Sequence, residues 1–308
     1  MKKLFSALAN TSRLRMVRAL LRGPLNVSEI TDVLGLGQSN VSHNLKILLD
    51  AGIVIRRGHG GWVYYSLNRN DDSARSLIDC VSTSASTIES YENDMTQLSL
   101  CYSARRAESR DFFNRMAVRM DKVSYLMPDP EIYIGRVLDL HQSPDSVVDA
   151  GCGSGDLVLK LAGRGNHAIG VDQSQEMLSE ARRKLAAHLF SGSAELRLGN
   201  AEHLPLADGS VDGVIAHMLL HHLGQPAEFF SEAGRVCKDD GRCTVVELTP
   251  HGNADLKRMQ GDLWPGLEIT EVVEWMTRSG FIEIEEIESE DDRMFILSGT
   301  FRGGNGNG

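Results

Sequence analysis

Cysteine is scarce in this chain. The five present (Cys80, Cys101, Cys152, Cys237 and Cys243) form no C-x-x-C pair. So small and odd a number in 308 residues argues against a disulfide framework. No apolar run is long enough to span a bilayer, and no signal-peptide pattern opens the chain. The expectation is a cytoplasmic protein without a membrane partner. Histidine is missing from residues 72–98 altogether. Positive charge is short overall, giving a formal net charge of −10, but the shortage is uneven. Residues 1–70 hold 10 Lys/Arg against 3 Asp/Glu, and residues 71–308 hold 22 against 39. A basic front on an acidic body points to nucleic-acid contact confined to the front. The length suits two domains, and the closing GGNGNG is low-complexity, so residues 303–308 are expected to be disordered.

The front has helical periodicity. Leu4, Leu8, Leu14, Val17, Leu20 and Leu21 make one stripe, which Gly23-Pro24 ends. Asn26-Val-Ser-Glu29 is close to a capping box, so a short helix is expected with Val27, Ile30, Val33 and Leu34 inward. Gly35-Leu-Gly37 is a turn. In QSNVSHNLKILLDAG, Val41, Leu45 and Leu48 then repeat at core spacing, leaving polar residues on the other faces. This is a helix-turn-helix whose second helix can enter a major groove. The next segment, IVIRR-GHGG-WVYYSL, reads as a β-hairpin with a glycine-rich tip and with Val63, Tyr65 and Leu67 on one face. Candidate DNA contacts are Gln38, Ser39, Asn40, Ser42, His43 and Lys46 on the helix, and Arg56, Arg57 and His59 on the wing. A further stripe, Ile78, Val81, Ala85, Ile88, Tyr91, Met95 and Leu98, can pair two subunits or pack on its own domain.

The body contains VVDAGCGSGDLVL, residues 147–159: a strand, a tight loop and a helix. A dinucleotide fingerprint needs its third glycine at 156, where Asp156 stands. That carboxylate satisfies the helix dipole and repels phosphate. With Asp149 just before the loop, the site expects a ligand carrying positive charge or hydroxyls. A sulfonium amino acid joined to a nucleoside fits; a pyrophosphate does not. The following strand ends at Asp172, 21 residues after Gly151, a spacing that suits an acid on two ribose hydroxyls.

With VVDAGCGSGD, GVDQS, GNAEHLPLADGSVDGV and GFIEIEEIES in order, residues from about 105 to 300 resemble a class I S-adenosylmethionine-dependent methyltransferase. Residues 4–67 resemble the winged-helix domain of ArsR-type repressors, on LANTSRLRMVRALLRG, GLGQSNVSHNLKILLDAGIV and GGWVYYSL. Together they imply an N-terminal winged helix-turn-helix, mainly α with a β-hairpin wing, and a C-terminal α/β Rossmann-like seven-stranded fold. The expected boundaries are 1–70 for the winged helix, 71–104 for a helical dimerisation or linker region, and 105–302 for the methyltransferase. The sequence departs from the repressor pattern in three respects, one being that residues 72–98 hold no histidine for the zinc site of other members. Asn26 and Ser28 stand where metalloid sensors place a cysteine pair, and His43-Asn44 stands where Arg-His is usual. No metal site is therefore expected, and the DNA preference does not transfer.

The resemblance implies S-adenosylmethionine as cofactor and S-adenosylhomocysteine as product. Their candidate contacts are Asp149, Gly151, Cys152, Gly153, Gly155, Asp172, Gln173, Met177, Asn200, Ala201, Glu202 and His217. General-base candidates are His217, His221 and His222, the last two at a helix start where one can be purely structural. Cys152 reads as a packing residue. Phe112, Phe113, Met116 and Tyr125 are candidate lid groups or equally plain core, and Asp262 to Gly266 can border an acceptor cavity. The expected partners are a double-stranded DNA operator bound by a homodimer and a small-molecule methyl acceptor. The leading expectation is a transcriptional regulator with a methyltransferase domain. One alternative is an enzyme whose winged helix only dimerises; the other is a repressor that senses the cofactor without catalysis.

Overall fold

The computed structural model describes residues 2–59, 62–69, 71–116, 127–142, 145–251, 264 and 266–303. The chain divides into two compact units, with the boundary between Arg106 and Ala107. None of the described helices is long and apolar enough to cross a membrane.

The first unit opens with α1 (Lys2–Leu8) and α2 (Thr11–Leu20), so the predicted single stripe is broken in two. The break is local chemistry: Asn10 is extended, and its side chain accepts the Arg13 N–H at 3.1 Å, capping α2. β1 (Leu25–Asn26) leads into α3 (Val27–Leu34) through the expected capping box. Glu29 N–H donates to Asn26 Oδ1 at 3.0 Å, and Asn26 N–H donates to Glu29 Oε2 at 2.8 Å. Gly35, at φ 62°, closes α3 in the left-handed conformation that glycine adopts without steric cost. α4 (Gln38–Asp50) follows and buries Val41, Leu45 and Leu48. β2 (Val54–His59) and β3 (Trp62–Leu67) form the hairpin. β3 also pairs with β1, making a three-stranded sheet in the order β1-β3-β2. The inward face of the hairpin is graded. Leu67 is buried, Tyr65 is half-buried and Val63 is exposed.

The segment after the hairpin is not one helix. α5 (Asp72–Thr83), a short 3-10 turn (Ala85–Thr87) and α6 (Tyr91–Met116) succeed one another. Ile78, Val81 and Leu98 are buried in the unit's own core, with Ile88 and Met95 packed against it. Part of this stripe is thus used within the unit, while Ala85, Ile88, Tyr91 and Met95 stay half-buried. The turn is tied down by charge as well as by packing. Buried Asp94 accepts from Arg15 at 2.7 and 2.8 Å and from Arg18, and Arg18 also donates to Ile88 O at 2.8 Å.

In the second unit α7 (Pro130–Asp139) precedes β4 (Ser146–Ala150), α8 (Asp156–Gly163), β5 (His167–Asp172), α9 (Gln175–Ala186) and β6 (Ser193–Leu198). β7 (Val211–His217), α10 (Pro226–Val236), β8 (Cys237–Leu248), α11 (Ile269–Arg278), β9 (Phe281–Ile287) and β10 (Met294–Phe301) complete it. The seven strands run β6-β5-β4-β7-β8-β10-β9, parallel from β6 to β8, with β10 antiparallel to both its neighbours. Val147, Val148, Val214, Ile215, Val245 and Val246 are fully buried, as expected of central strands covered on both faces. β4 pairs with β5 on one side and β7 on the other, so strand order reverses there. In open α/β sheets, ligands bind beyond the carboxyl ends of the strands at such a switch point.

Candidate active site

The loop after β4 lies at that switch point. Gly151, Gly153 and Gly155 all have positive φ, at 71°, 51° and 81°. At Gly151 a Cβ would lie 2.4 Å from Leu219 Cδ1, and at Gly155 one would lie 2.9 Å from Ala181 Cβ. Two backbone donors pin the loop: Gly151 N–H and Cys152 N–H both reach Val171 O, at 2.7 and 3.0 Å. Asp172 closes it from the next strand. Its Oδ2 accepts the Gly153 N–H at 2.9 Å and its Oδ1 the Ser174 N–H at 2.8 Å. Burial raises the Asp172 carboxyl, and these backbone donors oppose the rise. Asp149 is buried and accepts no hydrogen bond among the described residues. Its carboxyl is pushed well above the ordinary range by burial, then by Asp172 and Asp156.

These groups open onto a cavity of about 810 Å³ lined by Asp149, Gly151, Cys152, Gly153, Asp172, Gln173, Met177, Asn200, Ala201 and His217. Two proposed cofactor residues stand off it. Gly155 is the N-cap of α8, where its missing side chain lets Ala181 of α9 approach. Glu202 turns inward, is 3% exposed, and accepts the Gln225 N–H at 2.8 Å, so it ties the loop after β6 to the start of α10. Cys152 reaches the cavity wall, but its Sγ also abuts Gly170, and burial pushes the thiol up.

The three histidines after β7 separate by role. His217 lines the cavity, and its Nε2 is 2.8 Å from Tyr133 Oη. Burial holds the imidazole down to about 4. The next residue, Met218, has φ 50°, a left-handed conformation that is unusual for a side-chain-bearing residue. His222 lines the cavity and meets the Phe113 ring edge-on, with centroids 4.7 Å apart. His221 does not line it. It is fully buried with Nδ1 2.5 Å from Glu247 Oε1, and its N–H donates to Glu247 Oε2 at 3.1 Å. His221 therefore anchors the turn that presents His222, which removes it as a base candidate.

Of the proposed lid groups, Phe113 lines the cavity and Phe112 packs on Phe113 without reaching it. The side chain of Met116 and all of Tyr125 lie outside the described residues, as do Asp262, Leu263 and Pro265. Trp264 is buried off the cavity, its Nε1–H donating to Leu223 O at 2.7 Å. The sequence reading missed Tyr133, which carries no motif and whose place depends on α7 packing against the end of β7. It also missed Leu219 and Lys184. Lys184 lies on α9 and bonds Asp156 at 2.8 Å.

On the first unit, Gln38, Ser39, Asn40, Ser42, His43 and Lys46 are all exposed on α4, and Arg56 is exposed on the wing. The side chains of Arg57 and His59 lie outside the described residues. Asn44 points inward. It accepts from Arg13 Nη1 at 3.0 Å and donates to Asn40 O at 3.0 Å, tying α4 to α2. No group of three or more metal-ligating side chains gathers among the described residues.

The family model for "Bacterial regulatory protein, arsR family" matches residues 10–56, and the model for "Methyltransferase domain" matches residues 148–245. The chain joins an arsR-type helix-turn-helix to a methyltransferase domain. A demethylmenaquinone methyltransferase of Symbiobacterium thermophilum is 32% identical over 147 residues, which are 46% of this chain and 59% of that protein. An arsenite methyltransferase of Halobacterium salinarum is 29% identical over 161 residues, 49% of this chain and 41% of that protein. The chain thus spans less than two thirds of either relative. A solved SAM-dependent methyltransferase from Aquifex aeolicus shares the fold with TM-score 0.51 at 20% identity, covering 61% of this chain and 98% of that one.

The cofactor of the methyltransferase domain is S-adenosylmethionine, and the residues present fit it. Buried Asp149 and half-buried Asp172 place two carboxyls on the cavity wall, where a cationic group would favour their ionised form, and Asp172 also suits hydroxyls. A side chain at Gly151 would collide with Leu219, so the loop carries no bulk of its own there.

Proposed function

We propose that this protein is a DNA-binding transcriptional regulator that also transfers a methyl group from S-adenosylmethionine to a small organic acceptor. The observation that carries the reading is the acid-rimmed cavity at the sheet's switch point, in a chain whose first unit exposes the polar face of α4. When bound, the cofactor supplies an activated methyl group on a positively charged sulfur. The chain's own work is then placement and proton handling. Asp149 and Asp172 hold the cationic and hydroxyl-bearing parts, with Asn200, Ala201, Gln173 and Met177 around the rest. His217 and His222 are the groups within reach of an acceptor.

Arsenite is a poor fit as acceptor. Cys152 is the one cysteine on the cavity wall among the described residues, its thiol is held protonated by burial, and Cys237 and Cys243 are buried elsewhere. A soft metalloid needs a set of thiolates. On the first unit, Gln38, Ser39, Ser42 and His43 would face bases, and Arg56 and Arg57 phosphates. A homodimer in the cytoplasm completes the proposal. Calorimetry with S-adenosylmethionine and S-adenosylhomocysteine tests the cavity, and footprinting on genomic DNA tests the regulator. No heat with either compound would remove the methyltransferase half, and no protected fragment would remove the regulatory half.

A further inference from the structure

The cavity wall mixes two chemistries. Asp149, Asp156 and Asp172 supply its acids. The lysines on the wall bond acids too, Lys160 with Glu131 at 2.9 Å and Lys184 with Asp156 at 2.8 Å. Among the described residues, an anionic acceptor would meet these acids, and both lysines of the wall are already engaged. The wall also includes apolar Phe113, Met127, Ile134 and Leu223, and with them the Tyr133–His217 pair.

That pair is specific in geometry. Tyr133 is 1% exposed, and its Oη lies 2.8 Å from His217 Nε2. The rings are tilted by 36° at 5.7 Å, so the contact is a hydrogen bond and not a stack. Among the described residues nothing bonds His217 Nδ1, and the imidazole borders the cavity. Burial raises the Tyr133 phenol and lowers His217 to about 4, so both are neutral near pH 7. In the tautomer where His217 Nε2–H donates to Tyr133 Oη, Nδ1 presents a lone pair to the cavity and the phenol keeps a proton to donate.

This inference rests on the methyl-transfer reading above. We propose that Tyr133 and His217 form one proton-handling pair, and that the acceptor is an uncharged apolar molecule bearing an acidic hydroxyl, of the phenol or naphthol class. The hydroxyl proton passes to His217 Nδ1, the oxygen's electron pair forms the new bond to the methyl carbon, and the pair of the breaking carbon–sulfur bond stays on sulfur. One positive charge leaves sulfur and one appears on the imidazolium, so charge balances. His217 takes the proton. Tyr133 is a positioning residue that fixes which nitrogen of His217 is free to do so.

The probe is 2-naphthol, whose excited state gives its proton to a nearby base and then emits as naphtholate. It is titrated into the full chain saturated with S-adenosylhomocysteine, beside naphthalene and 2-naphthoate. A site built to bond a hydroxyl discriminates strongly against the analogue lacking it. The expected result is binding of 2-naphthol at least ~10-fold tighter than naphthalene and than 2-naphthoate, with naphtholate emission from the bound probe. Tyr133→Phe, which keeps the ring, should shrink the preference and the naphtholate band, and His217→Asn should abolish the band. Naphthalene binding as well as 2-naphthol, 2-naphthoate binding better, or both readouts unchanged in Tyr133→Phe would overturn the proposal while S-adenosylhomocysteine still binds. If S-adenosylhomocysteine itself fails to bind the unmodified chain, the methyl-transfer reading falls and takes this proposal with it.

Discussion

Single residues at the cavity trade stability for binding. Asp149 is a buried carboxyl whose folded-state pKa lies above its unfolded value. Such a group costs stability progressively as pH rises past the unfolded value, because the unfolded chain ionises first. Asp149→Asn should therefore raise the Tm of the free protein at pH 7, by about 2–4 °C per kcal/mol relieved, and weaken S-adenosylhomocysteine binding. Scanning calorimetry with and without the ligand reads both, and a lowered Tm would refute the cost. Asp172 differs because it is held by two backbone donors. Asp172→Ala should lose about 1–3 kcal/mol of cofactor affinity, and equal calorimetric affinity for the mutant would end the ribose assignment. His141 gives the opposite pH sign. It is 3% exposed, bonds Thr244 Oγ1 at 3.0 Å, and is held down to about 4 by burial and then by Arg242. Gly213 leaves room for it, since a Cβ there would lie 2.5 Å from the ring. A depressed histidine contributes stability that is lost as pH falls from about 6.5 to about 4, because the unfolded chain takes up the proton first. Acid unfolding followed by circular dichroism should show that slope, and His141→Gln should flatten it.

Elements were legible in the sequence wherever local chemistry decides them. The capping box at Asn26–Glu29, the Gly35 stop and the 147–159 strand-loop-helix needed only neighbours along the chain. The Asn10 cap was equally local, yet it was hidden by a leucine stripe that continues in register across the break. β1 is two residues long and exists because β3 pairs with it, Leu25 opposite Tyr65 and Asn26 opposite Tyr64. The stripe from Ile78 to Leu98 showed an apolar face but not what covers it, since periodicity is the same for a core and for a dimer seam. At the site, the glycines, Asp149 and Asp172 were readable from spacing. Tyr133 was not, because its function is set by a contact 84 residues distant. Glu29 shows how one element serves two tasks. It completes the capping box of α3 and also accepts from Arg105 Nε at 2.8 Å and Nη2 at 2.6 Å, while Arg105 lies over the Tyr102 and Tyr64 rings. Asn26→Ala should cost about 1 kcal/mol, a lost cap. Glu29→Ala should cost about 3–5 kcal/mol, because it also strands a buried guanidinium. Hydrogen exchange at the α3 amides should rank them in that order, and equal protection in both would show that the ion pair contributes nothing.

At the scale of the whole molecule, charge divides the labour. The first 70 residues carry a net +7 and the remainder −17. Phosphate is attracted to the one and repelled by the other, so DNA should contact the first unit alone. Asn26 and Ser28 cannot serve as thiolates, so micromolar arsenite or zinc should not release an operator. Release that persists after Cys80 and Cys101 are changed to Ser would contradict this. If the regulator acts as a two-fold dimer, its two α4 helices should read half-sites about 34–36 Å apart, one duplex turn. Phosphate and base contacts should then separate in mutants. Arg56→Ala removes a wing charge, so it should weaken binding to every sequence and flatten the salt dependence, because fewer counterions are released. Ser42→Ala and His43→Ala leave that charge in place and should relax preference at particular base pairs, at about 1–3 kcal/mol each where the lost contact is a good one. Asn44→Ala belongs to neither class. Its side chain ties α4 to α2, so it should lower stability and weaken DNA binding without changing either the salt slope or the preferred sequence. Gel shifts on footprinted fragments across a salt series distinguish the three patterns. A sequence-independent complex whose salt slope is the same in Arg56→Ala would mean that the wing is not on the DNA, whatever α4 contacts.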